Sequence, residues 1–173
     1  GGIAYDEDKA RIEVAMAVTA RPFLETYRGF RILDENRVEV YVDYWHFQEN
    51  LIASYASPAG LSMPWEILAA MDDLVFEQRR GAYSDTAASR FNVPWISLVM
   101  DRDARLVYRT LRDFSGEGRV PAGYFQVGER NLVSPSDAVS RYRAALDWFD
   151  ERGHLVISNG PFSLFRYDPP AQY

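Results

Sequence analysis

The chain has no cysteine. That one absence removes disulfide scaffolds, thiolate zinc sites and thiol nucleophiles together. Histidine occurs twice, at His46 and His154, so a metal centre or a general base has few imidazoles to draw on. Lysine occurs once, at Lys9, and the remaining basic charge is arginine. The formal net charge is −6 and no Lys/Arg cluster makes a local exception, which argues against a nucleic-acid partner. No apolar run approaches the ~20 residues of a membrane span. The opening stretch "GGIAYDEDKAR" lacks the basic segment and long apolar segment of a secretory leader. A mature exported domain, or an excised one, has the same appearance. There is no Gly-x-Ser-x-Gly elbow, and "SGEG" at 115–118 lacks both the lysine and the preceding strand of a phosphate loop.

What is present is size and aromatic content. The 173 residues suffice for one domain with a real core, and the 47% hydrophobic and 25% charged residues are ordinary for a globular protein. Aromatics are rich, with 4 Trp, 11 Tyr and 10 Phe. Two readings stay open: the rings fill a core or a sheet face, or they form a wall that stacks on a peptide or sugar or meets another domain. "YVDYWHF" holds Trp45, "VPWIS" holds Trp95, and Trp65 opens a helical stretch. Trp45 and Trp95 are the candidate ligand- or lobe-facing residues.

Periodicity divides the chain. Residues 11–19, "RIEVAMAVT", alternate Ile12, Val14, Met16 and Val18 with smaller residues, which predicts a half-buried strand. Phe30 and Ile32, the turn "DEN" at 34–36, and Val38, Val40 and Val42 predict a β-hairpin. "HFQENLIASYASP" reads as helical up to Pro58. A marked helix follows, with Ser62 as N-cap, Pro64 in the first turn, an apolar stripe of Ile67, Leu68, Met71, Leu74 and Val75, and Gly81 as its stop. "YSDTAASRFNV" predicts a short helix, and Pro94 is expected to open a longer one. "YFQVGERNLVS" predicts two short strands about Gly128. Ser134, Pro135, Asp137 and Gly153 mark the cap, first residue, capping-box partner and stop of a final helix, with Val139, Tyr142, Leu146 and Phe149 on its apolar face. Strands are expected at 154–158 and 162–167, joined by the turn Asn159, Gly160, Pro161. The order predicts an α+β fold: a mixed or antiparallel sheet with β-hairpins and several packed helices, in a single domain over residues 1–173.

Candidate chemistry is sparse. Asp43, His46 and Glu49 are the one set that approaches a metal or hydrolytic cluster, and at a strand end they do not share a face. His154 follows a helix stop, where a cation interacts favourably with the helix dipole. The neighbouring pairs Asp72–Asp73 and Asp150–Glu151 fall on predicted helices, where adjacent side chains diverge and solvated faces are expected. No cofactor is implied, and an enzyme is the weaker class.

Two segments together carry a resemblance. "GFRILDENRVEVYVD" (29–43) resembles a hairpin of extracellular solute-binding proteins of family 5, the oligopeptide/dipeptide type: Asp34 matches the turn Asp, Val38 the central Val, and Val40 and Val42 the outgoing strand. "SNGPFSLFRYDP" (158–169) is similar to the family's "G-P-Y" turn, with Gly160, Pro161 and Phe162 matching and Asn159 departing from its usual Thr. The connection between the two is longer than the family's common form. The resemblance implies one lobe or subdomain of a periplasmic-binding-protein type II-like fold, as a fragment of a larger two-lobed protein. It implies a non-enzymatic, extracytoplasmic substrate-binding component of an ABC importer. Its expected partners are a peptide or other small-molecule solute, the permease subunits and the remaining lobe. The rival readings are an interaction module with no pocket of its own and, behind it, a hydrolase built on Asp43, His46 and Glu49.

Overall fold

A computed structural model describes residues 6–56, 63–122, 125–127, 129–158 and 160–167. The chain is α+β and divides into two compact units, Gly1–Leu61 and Ser62–Tyr173.

In the first unit Asp6 caps helix α1 (Glu7–Ile12), its Oδ1 accepting the N–H groups of Asp8 and Lys9 at 3.0 Å. Helix α2 (Val14–Thr26) follows at once. The strand expected over 11–19 is therefore wrong. Alanines at 10, 15, 17 and 20 favour helix, and the alternating residues do not share a buried face: Ile12 is 8% exposed, whereas Val14, Met16 and Val18 are exposed. Strand β1 (Tyr27–Asp34) pairs antiparallel with β2 (Arg37–Val42), Phe30 opposite Val40 and Ile32 opposite Val38, as the alternation predicts. Asp34 builds the turn, Oδ1 accepting Asn36 N–H at 2.9 Å and Oδ2 accepting Arg37 Nε at 2.6 Å. Helix α3 (Glu49–Ala56) completes the unit; Pro58 lies outside the described residues.

The second unit holds the core. Helices α4 (Trp65–Asp72), α6 (Asp101–Glu117) and α7 (Pro135–Arg152) pack on one another. They enclose Ile67, Leu74, Val107, Leu111 and Tyr142, all shut off from solvent. Of the expected stripe, Ile67, Met71, Leu74 and Val75 are buried and Leu68 is half-buried, and the ends of the helix differ from those expected. Pro64 occupies the N-cap position, and Ser62 lies outside the described residues. The helix runs into a π-helical turn at Asp73–Glu77, and Arg79 (φ 56°), not Gly81, takes the left-handed position beyond it. Gly81 instead allows a close approach: a Cβ there would lie 2.6 Å from Ile96 Cγ1.

Ser84 caps the short α5 (Asp85–Phe91). Pro94 does not open a helix. Ala82 N–H bonds Pro94 O at 2.9 Å and Ile96 N–H bonds Ala82 O at 3.0 Å; this parallel bridge at Trp95 takes the place of a helix start, and α6 begins only at Asp101, after a bend at 98–100. Strands β3 (Gln126–Val127) and β4 (Arg130–Asn131) pair antiparallel as expected; Gly128 is outside the described residues. The capping box of α7 forms as read, Ser134 Oγ accepting Asp137 N–H at 3.2 Å and Asp137 Oδ2 accepting Ser134 N–H at 3.1 Å, and left-handed Gly153 ends the helix. Beyond it, neither 154–158 nor 162–167 is a strand; no ladder partner pairs with them among the described residues. Asn159 of the expected turn lies outside those residues.

Candidate functional site

The register of the hairpin decides what its faces present. Tyr27, Phe30, Ile32, Val38, Val40 and Val42 share one side, and Arg31, Glu39 and Tyr41 the other. On the polar side Tyr41 donates to Glu39 Oε2 at 2.6 Å; that bond, with some burial, raises the phenol's pKa. The apolar side is open, with Phe30 56%, Ile32 64% and Val38 58% exposed. Among the described residues of this unit, Ile12 is the one buried apolar side chain.

An aromatic column runs beside the hairpin. Phe23 meets Tyr27 and Tyr55, Tyr55 stacks on Tyr44 at 4.1 Å between centroids, and His46 stacks on Phe47 at 4.4 Å. Tyr55 is steadied by a 3.0 Å hydrogen bond between its hydroxyl and Thr26 Oγ1. The loop between β2 and α3 carries this column to the surface, where Trp45 is 79% and Phe47 75% exposed. Trp95 belongs to the other unit, on the extended segment bridged to Ala82, and is also exposed. Trp65, by contrast, packs edge-on against Phe125 and Tyr142. Packed and exposed aromatics both occur, and the two candidate tryptophans sit in different units.

Asp43, His46 and Glu49 are not brought together. Asp43 pairs with Arg28 at 2.8 Å, His46 Nδ1 accepts Gln48 N–H at 3.0 Å, and Glu49 sits in the first turn of α3. Among the described residues no three His, Asp or Glu side chains are grouped as a metal would require.

Of the acids read as lying on solvated faces, Asp150 and Glu151 are exposed, Asp72 is half-buried and Asp73 is buried; Glu66, not singled out in the sequence, is buried too. Asp73 is held by Arg119 Nη1 at 3.0 Å and Gln78 Nε2 at 2.7 Å, and Asp72 accepts Tyr83 OH at 2.6 Å. Glu66 pairs with Arg141 at 2.8 Å, and its Oε2 has no hydrogen-bond partner. Tyr142 OH donates to Arg119 O at 2.7 Å; burial, aided by the Glu66 charge and opposed by Arg119, pushes its pKa up to about 12. These groups brace the helices of the second unit.

His154 follows the helix stop as read, but it is buried. It is 7% exposed, Nδ1 accepts Val156 N–H at 3.2 Å, and the tautomer this requires lets Nε2–H donate to Leu164 O at 3.1 Å. It pins the segment after α7, and between that segment and Trp148 lies a cavity of about 260 Å³. Sequence reasoning missed the cavity because a segment that lies extended without ladder partners leaves no periodic signal. No described helix is long and apolar enough to cross a membrane. No protein-family model and no curated protein matches the chain.

Proposed function

We propose that the chain is a non-catalytic part of the substrate-binding component of an ABC importer, acting outside the cytoplasm. It contributes a lobe to the capture of a peptide or another small solute, and the closed receptor delivers that solute to the permease. The observation that carries this reading is the open apolar face of the hairpin in a unit whose described residues include one buried apolar side chain. A two-stranded hairpin is marginal by itself, so such a face is built to be covered. In a two-lobed receptor the covering surface is the rest of the receptor, and the hairpin is one of the segments that carry the family resemblance. Exposed Trp45 and Trp95 are the aromatics offered to solute or lobe.

The test is calorimetric binding of a peptide panel to the full-length receptor expressed with its flanking sequence. Saturable binding that weakens at least tenfold in Trp45→Ala or Trp95→Ala supports the assignment. Absence of peptide or solute binding by a folded full-length protein overturns it.

A second reading, a docking module without a pocket, is favoured by one observation. The cavity of about 260 Å³ falls below the ~300–1,000 Å³ usual for small-molecule sites. A folded full-length protein that captures a protein partner through the hairpin, yet shows no thermal shift with any solute, would establish that alternative.

A further inference from the structure

The two strands of the hairpin present outer edges of different quality. Between Tyr27 and Gly29, and again between Ile32 and Asp34, β1 carries one residue more than β2 opposes, so Arg28 and Leu33 are bulged. Such irregularities bend a strand and twist its edge away from further pairing. β2 has none, and its residues from Arg37 to Val42 run through the register without a break. Asp43 extends that course, its N–H bonding Thr26 O at 2.7 Å. Backbone groups alternate sides along a strand. The odd-numbered residues of β2 therefore turn theirs to β1, and Val38, Val40 and Val42 aim theirs outward. Among the described residues no other strand lies on that side, and no backbone bond from outside the hairpin reaches these three.

We infer that the outer edge of β2 is a self-pairing surface, and that its occupant is β2 of a second copy of this chain, antiparallel about a two-fold axis at Val40. Outward groups meet only when both opposed residues are even-numbered, so the strands can slide only in steps of two. Charge selects among those registers. With Val40 opposite the partner's Val40, Val38 lies opposite the partner's Val42, Glu39 opposite the partner's Tyr41, and Arg37 opposite the partner's Asp43. The two-fold axis makes each of these pairs twice. A slide one way sets Glu39 against the partner's Glu39, and the other way against the partner's Asp43. Like charges directly opposed are destabilising, so both slides are penalised. Within its own hairpin Arg37 holds Asp34 at 2.6 Å and Asp43 holds Arg28 at 2.8 Å, all four exposed. At either end the favoured register therefore lines up acid, base, acid and base. Pairing also turns a two-stranded hairpin, marginal by itself, into four strands with the valines of both copies along the middle of one apolar face. The inference concerns the edge of the hairpin and does not rest on the transport reading.

The experiment is sedimentation velocity of the 173-residue chain, followed by cysteine cross-linking. The expected mass rises from 19.8 kDa toward twice that value. The rise should fall between about 5 and 200 μM, as befits an interface below ~1,200 Å². Because the chain has no cysteine, single substitutions report the register. Val40→Cys should oxidise to a covalent dimer, since hydrogen-bonded antiparallel pairs lie about 5.5 Å apart at Cα, within disulfide reach. Val38→Cys and Val42→Cys each lie more than about 13 Å from their own counterparts, so they should cross-link only when mixed. Arg37→Asp sets acid against acid and should weaken the dimer about 3- to 10-fold, and adding Asp43→Arg should restore it. A chain that stays monomeric at about 200 μM overturns the inference. So does a dimer that Val40→Cys does not lock, or one that Val38→Cys alone locks as readily. Arg37→Asp, at an exposed site, decides the matter should the cysteine variants not fold, and unchanged affinity there is also fatal. None of these outcomes bears on the peptide titration that tests the transport reading.

Discussion

Arg141 on α7 reaches Glu66 on α4 with Nη2 2.8 Å from Oε1, and the two ends of this pair are unequally wet: the Glu66 side chain is 3% exposed and that of Arg141 52%. The pair is therefore asymmetric under mutation. Arg141→Leu strands a carboxylate in the core and should cost about 2–4 kcal/mol. Glu66→Leu leaves an arginine that turns to water and should cost less than about 1.5 kcal/mol. Urea unfolding of the two variants checks the order; equal losses would mean that the carboxylate is not desolvated.

Tyr142 predicts an alkaline limb. Its folded pKa, about 12, lies above the usual 10.0, so the neutral phenol is the form the fold prefers. That contribution is complete below pH ~10 and is lost as pH rises through the folded value. Thermal unfolding temperature should hold to about pH 10 and then fall. Tyr142→Phe should cost about 1 kcal/mol at neutral pH, through the lost bond to Arg119 O, and should flatten the alkaline decline. Tyr108, raised by burial and by Asp150, leaves some slope behind.

The acid limb has the opposite sign. Hydrogen bonds from the Ser134 side chain and backbone lower the Asp137 pKa, and the Asn36 backbone and the Arg37 side chain lower that of Asp34. Their stabilisation is present above pH ~4 and is lost as pH falls through the folded values. Circular dichroism at 222 nm should show α7 weakening in that window, and Asp137→Asn should reduce the slope there. Ser134→Ala should cost about 1 kcal/mol at neutral pH as the cap is lost.

The hairpin face separates stability from association. Ile32→Lys and Val38→Lys alter exposed positions and should change unfolding free energy by less than about 0.5 kcal/mol. If the proposed receptor reading holds and the face is covered by further sequence, the same substitutions should destabilise that covered form by more than about 1.5 kcal/mol, the transfer value of one large apolar side chain. Equal, small effects in both contexts would show the face to be bare.

Local signals were legible where the deciding groups are neighbours in sequence. The Ser134–Asp137 capping box, the left-handed Gly153 and the hairpin turn at Asp34 are each settled within four residues, and each is found as read. Alternation failed at 11–19 because period two describes a strand only when a neighbour supplies the ladder; an Asp6 cap and four alanines gave the backbone a local alternative. Pro94 misled for the converse reason: a remote residue, Ala82, claims its carbonyl. The exposed hairpin face could not be read, since the pattern that gives a strand an apolar side does not say what lies against it. Trp45 and Trp95, read as ligand- or lobe-facing, both lie on the surface, in separate units.

The uneven division of the core bears on how the chain is made. Synthesis delivers the hairpin unit before Ser62–Tyr173, which holds nearly all of the buried apolar residues. At about 5–20 residues per second, the second unit takes on the order of ten seconds to follow, and the hairpin face is open before and after it arrives. During the wait, an apolar strand face on crowded ribosomes invites pairing with its neighbours' strands. Arg31 and Glu39 on the far side, and the charged turn of Asp34, Glu35 and Arg37, are charges of the kind that discourage strand-to-strand pairing.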